Sequence, residues 1–111
     1  MGSVEAADEQ VAVNETLFRD VNEGIEEGRS ARDGLVPFVC ECGVIGCTEV
    51  VELTLAEYEG VRAGSRRFLV APGHGADFDE VREEHERYRV VSKPEGPLGE
   101  HADRTDPRSR R

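Results

Sequence analysis

The stretch Phe-Val-Cys-Glu-Cys-Gly-Val-Ile-Gly-Cys, residues 38–47, contains all three cysteines of the chain. Cys40 and Cys42 are two residues apart, so an extended backbone points both thiols to the same side. The spacer before Cys47 begins and ends with glycine, which lets the backbone turn and bring the third thiol back. Three thiols on one short loop, joined by one imidazole, form a ligand set that suits tetrahedral zinc.

The fourth ligand has three histidine candidates. His74 lies between glycines after a predicted strand and a proline, so the tight turn there would present its ring to another loop. His85 lies among charged residues typical of a solvated face, and it remains an alternative, as does a carboxylate. His101 falls in a predicted flexible tail, and an ordinary turn histidine is the competing interpretation of His74. The sequence therefore predicts one Zn2+ site with the ligands Cys40, Cys42, Cys47 and His74.

A disulfide is the competing use of these thiols. Three cysteines cannot all pair within one chain, and a bridge between Cys40 and Cys42 would strain an extended segment. A bridge between Cys42 and Cys47 is feasible but leaves Cys40 free. The N-terminus shows no secretory signal, so we expect a cytoplasmic location, where thiols stay reduced and clustered cysteines favour metal.

Composition bounds the fold to one small domain. The chain has 111 residues, 37% hydrophobic residues and no tryptophan, which limits the core. Residues 1–10 and 93–111 are polar and are predicted to be flexible ends around a zinc-binding domain at 11–92. An ordered part of roughly 75–80 residues is of the size that often needs a metal or disulfide staple.

The charge and hydropathy of the chain limit the kinds of partner that we expect it to bind. A formal net charge of −10 disfavours binding to nucleic acid. No segment approaches the ~20 apolar residues of a membrane span. The expected partner is therefore another protein.

Periodicity predicts a small α+β fold. Apolar residues at helical spacing predict a helix over about 14–27, or starting earlier, whose apolar stripe packs inward. Residues 29–35 are typical of a linker. Residues 36–42 and 49–53 are predicted strands that pair across the cysteine loop, as in many zinc ribbons.

The second half of the chain continues the pattern. Thr54 and Glu57 have the spacing of a capping box, which predicts a helix from Leu55 to about Ala63. Strands are predicted at 67–71 and 88–92, whereas 79–87 is compatible with either a charged helix or an outer strand. The predicted architecture is a zinc-stapled antiparallel sheet with an N-terminal helix and a short helix between strands.

Catalysis is not favoured by these residues. A hydrolytic zinc site would need an open position and a general base, for which Glu41 is the candidate. Alternation along a strand instead predicts that Glu41 faces solvent, and we expect the same of Glu49. The favoured function is a structural zinc module that binds proteins. A redox-responsive zinc–thiolate regulator is the alternative, and a zinc hydrolase is a weaker one.

Four segments carry a family resemblance: Phe18–Glu23, Phe38–Cys42, Leu53–Glu59 and Arg66–His74. Together they resemble a group of small uncharacterised actinobacterial proteins that share Cys-x-Cys…Cys, Glu-Tyr-Glu and Pro-Gly-His segments. The resemblance covers about residues 15–93. It implies that the three cysteines and His74 act together in zinc binding, and it implies no particular activity.

Overall fold

The computed structural model describes residues 6–28, 34–76 and 79–110. The predicted α+β class is confirmed, with two small antiparallel sheets instead of one. The order of elements is α1 (Ala6–Glu27), β1 (Val36–Val39), β2 (Val50–Leu53), α2 (Leu55–Arg62), β3 (Arg67–Val70), β4 (Glu80–Glu84), β5 (Arg89–Ser92), α3 (Pro97–Arg104) and a 3-10 helix (Pro107–Arg110).

The first sheet is the predicted hairpin across the cysteine loop. β1 and β2 are antiparallel, with Val36 opposite Leu53 and Val39 opposite Val50. Phe38 is fully buried and stacks on Tyr58 of α2, with ring centroids 4.3 Å apart. The hairpin therefore holds the two ends of the cysteine loop together and packs against α2.

The second sheet has the strand order β3-β5-β4. The ambiguous segment at 79–87 contains a strand, β4, and pairs with β5. The central strand β5 buries Val90 and Val91, and its neighbour β3 buries three consecutive residues, Phe68 to Val70. Both strands thus contribute to the core, whereas β4 is an exposed edge rich in charged residues.

The predicted capping box is confirmed. The Glu57 backbone N–H donates to the Thr54 hydroxyl, and the Thr54 N–H donates to the Glu57 carboxylate. Each bond satisfies a donor that the first turn of α2 would leave without a partner. The helix ends at Arg62, one residue short of the predicted end, and Ala63 is its C-cap.

The packing predicted for the first helix is wrong for part of its apolar stripe. α1 begins at Ala6, ends at the predicted Glu27 and buries polar side chains, among them Arg19 and Asn22 at 1% and 0% exposure. Leu17 and Val21 of the predicted stripe are exposed, as is Val13, whereas Val11, Phe18 and Ile25 are half-buried and Ile25 packs against the core. The reason is that the body of the fold offers charged and backbone partners to this helix, and buried polar groups must be paired.

The structure continues past residue 92, where the sequence predicts that the domain ends. Lys93 is buried and donates to Glu15 of α1 at 2.5 Å. Residues 97–104 form α3, which packs on α1 and buries Ala102. The polar composition of residues 93–111 predicted a flexible tail, but charged side chains of this segment form ion pairs with the rest of the domain. Of the predicted flexible N-terminus and linker, residues 1–5 and 29–33 lie outside the described residues.

Arg108 anchors the C-terminal segment. Its guanidinium donates to Glu23 of α1 at 2.8 Å and to Glu59 of α2 at 2.8 Å. Burial alone would raise the pKa of the Glu23 carboxyl, but hydrogen bonds from Arg108 and Tyr58 lower it below its ordinary value of 4.5.

We predict that Arg108→Ala lowers the free energy of unfolding by about 2 kcal/mol, because it removes charge-assisted hydrogen bonds from the buried Glu23. Arg104→Ala, on the exposed side of α3, is the matched control. It should change the free energy of unfolding by no more than about 0.5 kcal/mol. Because the pKa of Glu23 is lowered, the difference in the free energy of unfolding between wild type and Arg108→Ala should be largest above pH 4.5. It should decrease as the pH falls below 4.5 and Glu23 becomes protonated. Denaturant titration at several pH values measures this, and equal effects of both variants would contradict the docking of this segment.

Candidate metal centre

The four predicted ligands lie together in the structure. One ligand atom from each of Cys40, Cys42, Cys47 and His74 falls in a group whose members are all within 4.8 Å of one another. The His74 Nδ1 atom lies 3.6 Å from the Cys40 Sγ and 3.8 Å from the Cys47 Sγ. Tetrahedral zinc with ordinary bond lengths places sulfur and nitrogen ligands about 3.6 Å apart. The spacing of these donors therefore fits a tetrahedral metal ion held through Nδ1.

Backbone hydrogen bonds position the first two thiols. The Cys40 N–H donates to the Glu49 carbonyl at 3.0 Å, which extends the β1–β2 pairing past the end of the strands. The next residue, Glu41, donates its N–H to the Leu69 carbonyl of β3 at 2.7 Å. The segment that carries Cys40 and Cys42 thus joins the two sheets.

Glycines shape the turn between the second and third thiols. Gly43 and Gly46 have φ values of +76° and +90°, a region that side chains strongly disfavour. The Cys47 N–H closes the turn by donating to the Val44 carbonyl at 3.1 Å. Gly43 also lies against α1, since Asn14 donates to its carbonyl at 3.0 Å. The turn therefore both returns Cys47 to the cluster and holds the cluster to the first helix.

His74 reaches the cluster from the second sheet. It follows β3 by four residues, and its N–H donates to the Ala71 carbonyl at 2.9 Å. Its own carbonyl accepts from Arg89 of β5 at 3.1 Å. These bonds fix the turn that presents the imidazole, so the cluster combines donors from a loop of the first sheet and a turn of the second.

The protein environment is unfavourable for free thiolates. Cys40 and Cys42 are 3% and 1% exposed, and burial raises the pKa of both thiols above the ordinary value of 9.0. Backbone hydrogen bonds oppose this effect in part: the Ala71 N–H donates to the Cys40 sulfur at 3.2 Å, and the Val44 N–H donates to the Cys42 sulfur. All three cysteines are free thiols and form no disulfide in the structure. A divalent cation that displaces the thiol protons would supply the charge that this buried cluster lacks.

The other two histidines lie outside the cluster. His85 is exposed, its ring stacks on Tyr88 and its Nε2 contacts Glu83 at 2.8 Å. The His101 ring lies 3.5 Å from the Thr16 hydroxyl at the junction of α3 and α1. Among the described residues, the structure therefore groups only His74 with the thiols.

The predicted exposure of Glu41 is wrong. Strand alternation predicted that it faces solvent, as the exposed Glu49 does, but Glu41 is fully buried. Its Oε1 accepts from Arg62 at 2.6 Å and from the Leu69 N–H at 2.9 Å. Its Oε2 accepts from Asn22 at 2.6 Å and from Arg62 at 3.1 Å. A carboxylate has about four acceptor sites, so this one has none left for proton transfer at a metal.

Arg62 is the buried residue beside the candidate site that sequence reasoning missed. Burial alone would lower the pKa of its guanidinium, but the adjacent Glu41 carboxylate raises it above its ordinary value. The pair is separated by 21 positions and follows no motif. The ion pair becomes apparent only in the tertiary structure, where α2 packs against the segment that carries Cys40 and Cys42.

No family model matches this chain, and neither a curated protein nor a solved structure is significantly similar to it. Within the part of the chain that the structure describes, no helix has the length and apolar character needed to cross a membrane.

We predict that Gly43→Ala destabilises the protein more than Gly46→Ala. Both changes put a side chain at positive φ, which costs roughly 1–2 kcal/mol. At Gly43 the added Cβ would also lie 2.5 Å from the Val11 carbonyl oxygen, whereas at Gly46 it meets nothing within 4 Å. The extra cost at Gly43 should be about 1–3 kcal/mol in thermal or denaturant unfolding. Equal costs would show that α1 does not pack on the turn.

Proposed function

We propose that the cluster of three thiols and one imidazole binds a single Zn2+ and that this ion has a structural role. The observation that carries the proposal is the approach of the four donor atoms to within 4.8 Å of one another. Three thiolates and an imidazole are a closed ligand set of the kind found in structural zinc sites. Soft sulfur donors disfavour the hard cations Mg2+ and Ca2+.

The position of the cluster supports a structural role. Its donors come from the loop between β1 and β2 and from the turn after β3, so a bound ion would tie the two sheets together. Zinc binding in small domains contributes about 10 kcal/mol or more of apparent free energy at neutral pH. That is comparable with the whole stability of an ordinary domain, about 5–15 kcal/mol.

The hydrogen bonds that Glu41 accepts support a protein without hydrolytic activity. Glu41 was the candidate general base, and its oxygens are engaged by Arg62, Asn22 and the Leu69 N–H. We therefore propose a small zinc-stapled module of the cytoplasm that acts by binding another protein, with nucleic acid disfavoured by the charge of −10. Membership of the group of small actinobacterial proteins that the sequence resembles is part of the same proposal.

We predict one zinc ion per chain in native protein purified without added chelator. Cys40→Ser and His74→Ala should each lower the bound zinc to well below one equivalent, because each removes a donor. The matched control is His85→Ala, which should retain the full equivalent, since that ring lies on Glu83 and Tyr88. Mass spectrometry of the native protein, with thermal unfolding of each variant, provides the measurement. Full zinc content in His74→Ala, or its loss in His85→Ala, would contradict the ligand assignment.

A redox-responsive site is the second candidate, and the partial exposure of Cys47 favours it. An open groove of about 440 Å³ borders the cluster and is lined by Cys42, Cys47 and His74. An oxidant such as hydrogen peroxide can reach Cys47 from this groove. Oxidation of Cys42 and Cys47 would form one S–S bond and pass two electrons to the peroxide, which becomes two water molecules with the uptake of two protons. The zinc ion would be released.

We predict that peroxide releases zinc and forms a Cys42–Cys47 disulfide if the site acts as a sensor. A colorimetric chelator follows the metal, and peptide mapping without reduction identifies the bond. Restoration of zinc binding by a thiol reductant would support a reversible switch. Release only together with sulfinic or sulfonic acids would contradict it and leave the structural role alone.

A further inference from the structure

We propose that the outward face of α1, together with the tip of the cysteine loop, is a docking surface for a basic amphipathic helix of a partner protein. The inference rests on the proposed role as a protein-binding module and names the chemistry of the partner. We call this surface the α1 face. Its apolar members are Val13, Leu17, Val21, Val44 and Ile45.

The apolar stripe on α1 is regular and solvent-exposed. Val13, Leu17 and Val21 are four residues apart and so lie on one side of the helix. Their exposed fractions are 41%, 55% and 49%. A surface helix normally turns such a stripe toward the core. Here the core-facing side is held largely by polar contacts instead, and these three apolar side chains stay exposed among the residues that the structure describes.

The tip of the cysteine loop extends the stripe. Val44 and Ile45 are 54% and 81% exposed. They line one groove with Val11 and Asn14 of α1, so the loop and the helix form a continuous surface. The loop is anchored at both ends by the metal-ligand candidates Cys42 and Cys47. Zinc binding would therefore also fix the position of this part of the α1 face.

The length of the stripe matches a helix. From position 13 to position 21 an α-helix advances about 12 Å, or a little over two turns. A partner helix with apolar residues at i, i+3 or i+4, and i+7 presents anchors over a similar distance. The groove between Val11 and Ile45 gives such a helix one concave border to rest against.

Charge decides between possible occupants. Asp20 is exposed along one border of the stripe and lines a second groove with Glu23, which is already paired with Arg108. α1 as a whole carries seven acidic residues and one basic residue, the buried Arg19. At the other end of that border, Glu9 and Arg104 both lie near Val13 and bring opposite charges, so Asp20 is the exposed acidic group beside the middle of the stripe. A second copy of this chain, with its own charge of −10, would bring like charges together. An anionic membrane would be repelled for the same reason. A basic helix meets both the apolar stripe and its acidic border.

The test uses the full zinc-loaded chain and a synthetic helical peptide with leucines on one face and lysines on the other. Fluorescence anisotropy measures binding of this peptide and of two controls. One control replaces the lysines with glutamates, and the other keeps the lysines but replaces the leucines with serines. We expect the first peptide to bind at least tenfold more tightly than either control. Equal binding of the lysine–serine peptide would overturn the proposal, because charge alone would then explain the affinity.

Protein variants locate the site. Leu17→Ser and Ile45→Ser should each weaken binding of the leucine–lysine peptide at least fivefold. Val81→Ser on β4 is the matched control, since Val81 is 50% exposed but lies outside the α1 face, and it should bind like wild type. Unchanged peptide binding in both test variants, or an equal loss of binding in the control, would overturn the assignment. A stable dimer of the wild-type protein in sedimentation that is lost in Leu17→Ser would also overturn it, because the α1 face would then bind a second copy. Zinc content of the same samples separates the two proposals, because one zinc per chain without peptide binding would reject only the docking surface.

Discussion

A single buried carboxylate, that of Glu41, holds the rest of this structure in register. It lies between Cys40 and Cys42 and accepts four hydrogen bonds, from α1 through Asn22, from α2 through Arg62 and from β3 through the Leu69 N–H. Burial of an ion pair is unfavourable unless the geometry is good and the remaining acceptor sites are filled. That condition is met here, so the pair fixes how the cysteine-bearing segment sits against both sheets. The thiols on either side of Glu41 are positioned as a consequence.

The same requirement for polar partners explains the unusual first helix. Asn22 pairs with both the N–H and the carbonyl of Val39 and thereby covers the free edge of β1. Arg19 is buried over the Phe68 ring and donates to backbone carbonyls of Ser65 and Ala102. Because these polar groups occupy much of the inner side of the helix, Val13, Leu17 and Val21 lie on its outer side. The polar interior and the exposed α1 face are therefore two results of one arrangement.

Local signals in the sequence were enough for most of the elements up to residue 92 and for the grouping of the site, but they did not predict α3 or the 3-10 helix. The capping box at Thr54, the β-branched segments and the spacing of the cysteines depend on near neighbours in the chain. The segment 79–87 stayed ambiguous because its charged residues suit a helix surface and an edge strand equally. The Glu41–Arg62 pair, the inward side of α1 and the docking of Arg108 depend on contacts between distant segments. Polar composition predicts exposure, and only the tertiary structure shows that these charges meet partners of opposite sign.

The most direct test of this account is a double-mutant cycle on Glu41 and Arg62 in the zinc-loaded protein. Glu41→Gln and Arg62→Met each leave the other charged group buried without its partner, so each should cost about 3–5 kcal/mol in the free energy of unfolding. The double variant removes both charges and should cost clearly less than the sum, with a coupling energy of about 2 kcal/mol or more. Costs that simply add would contradict the claim that this pair organises the fold around the candidate metal centre.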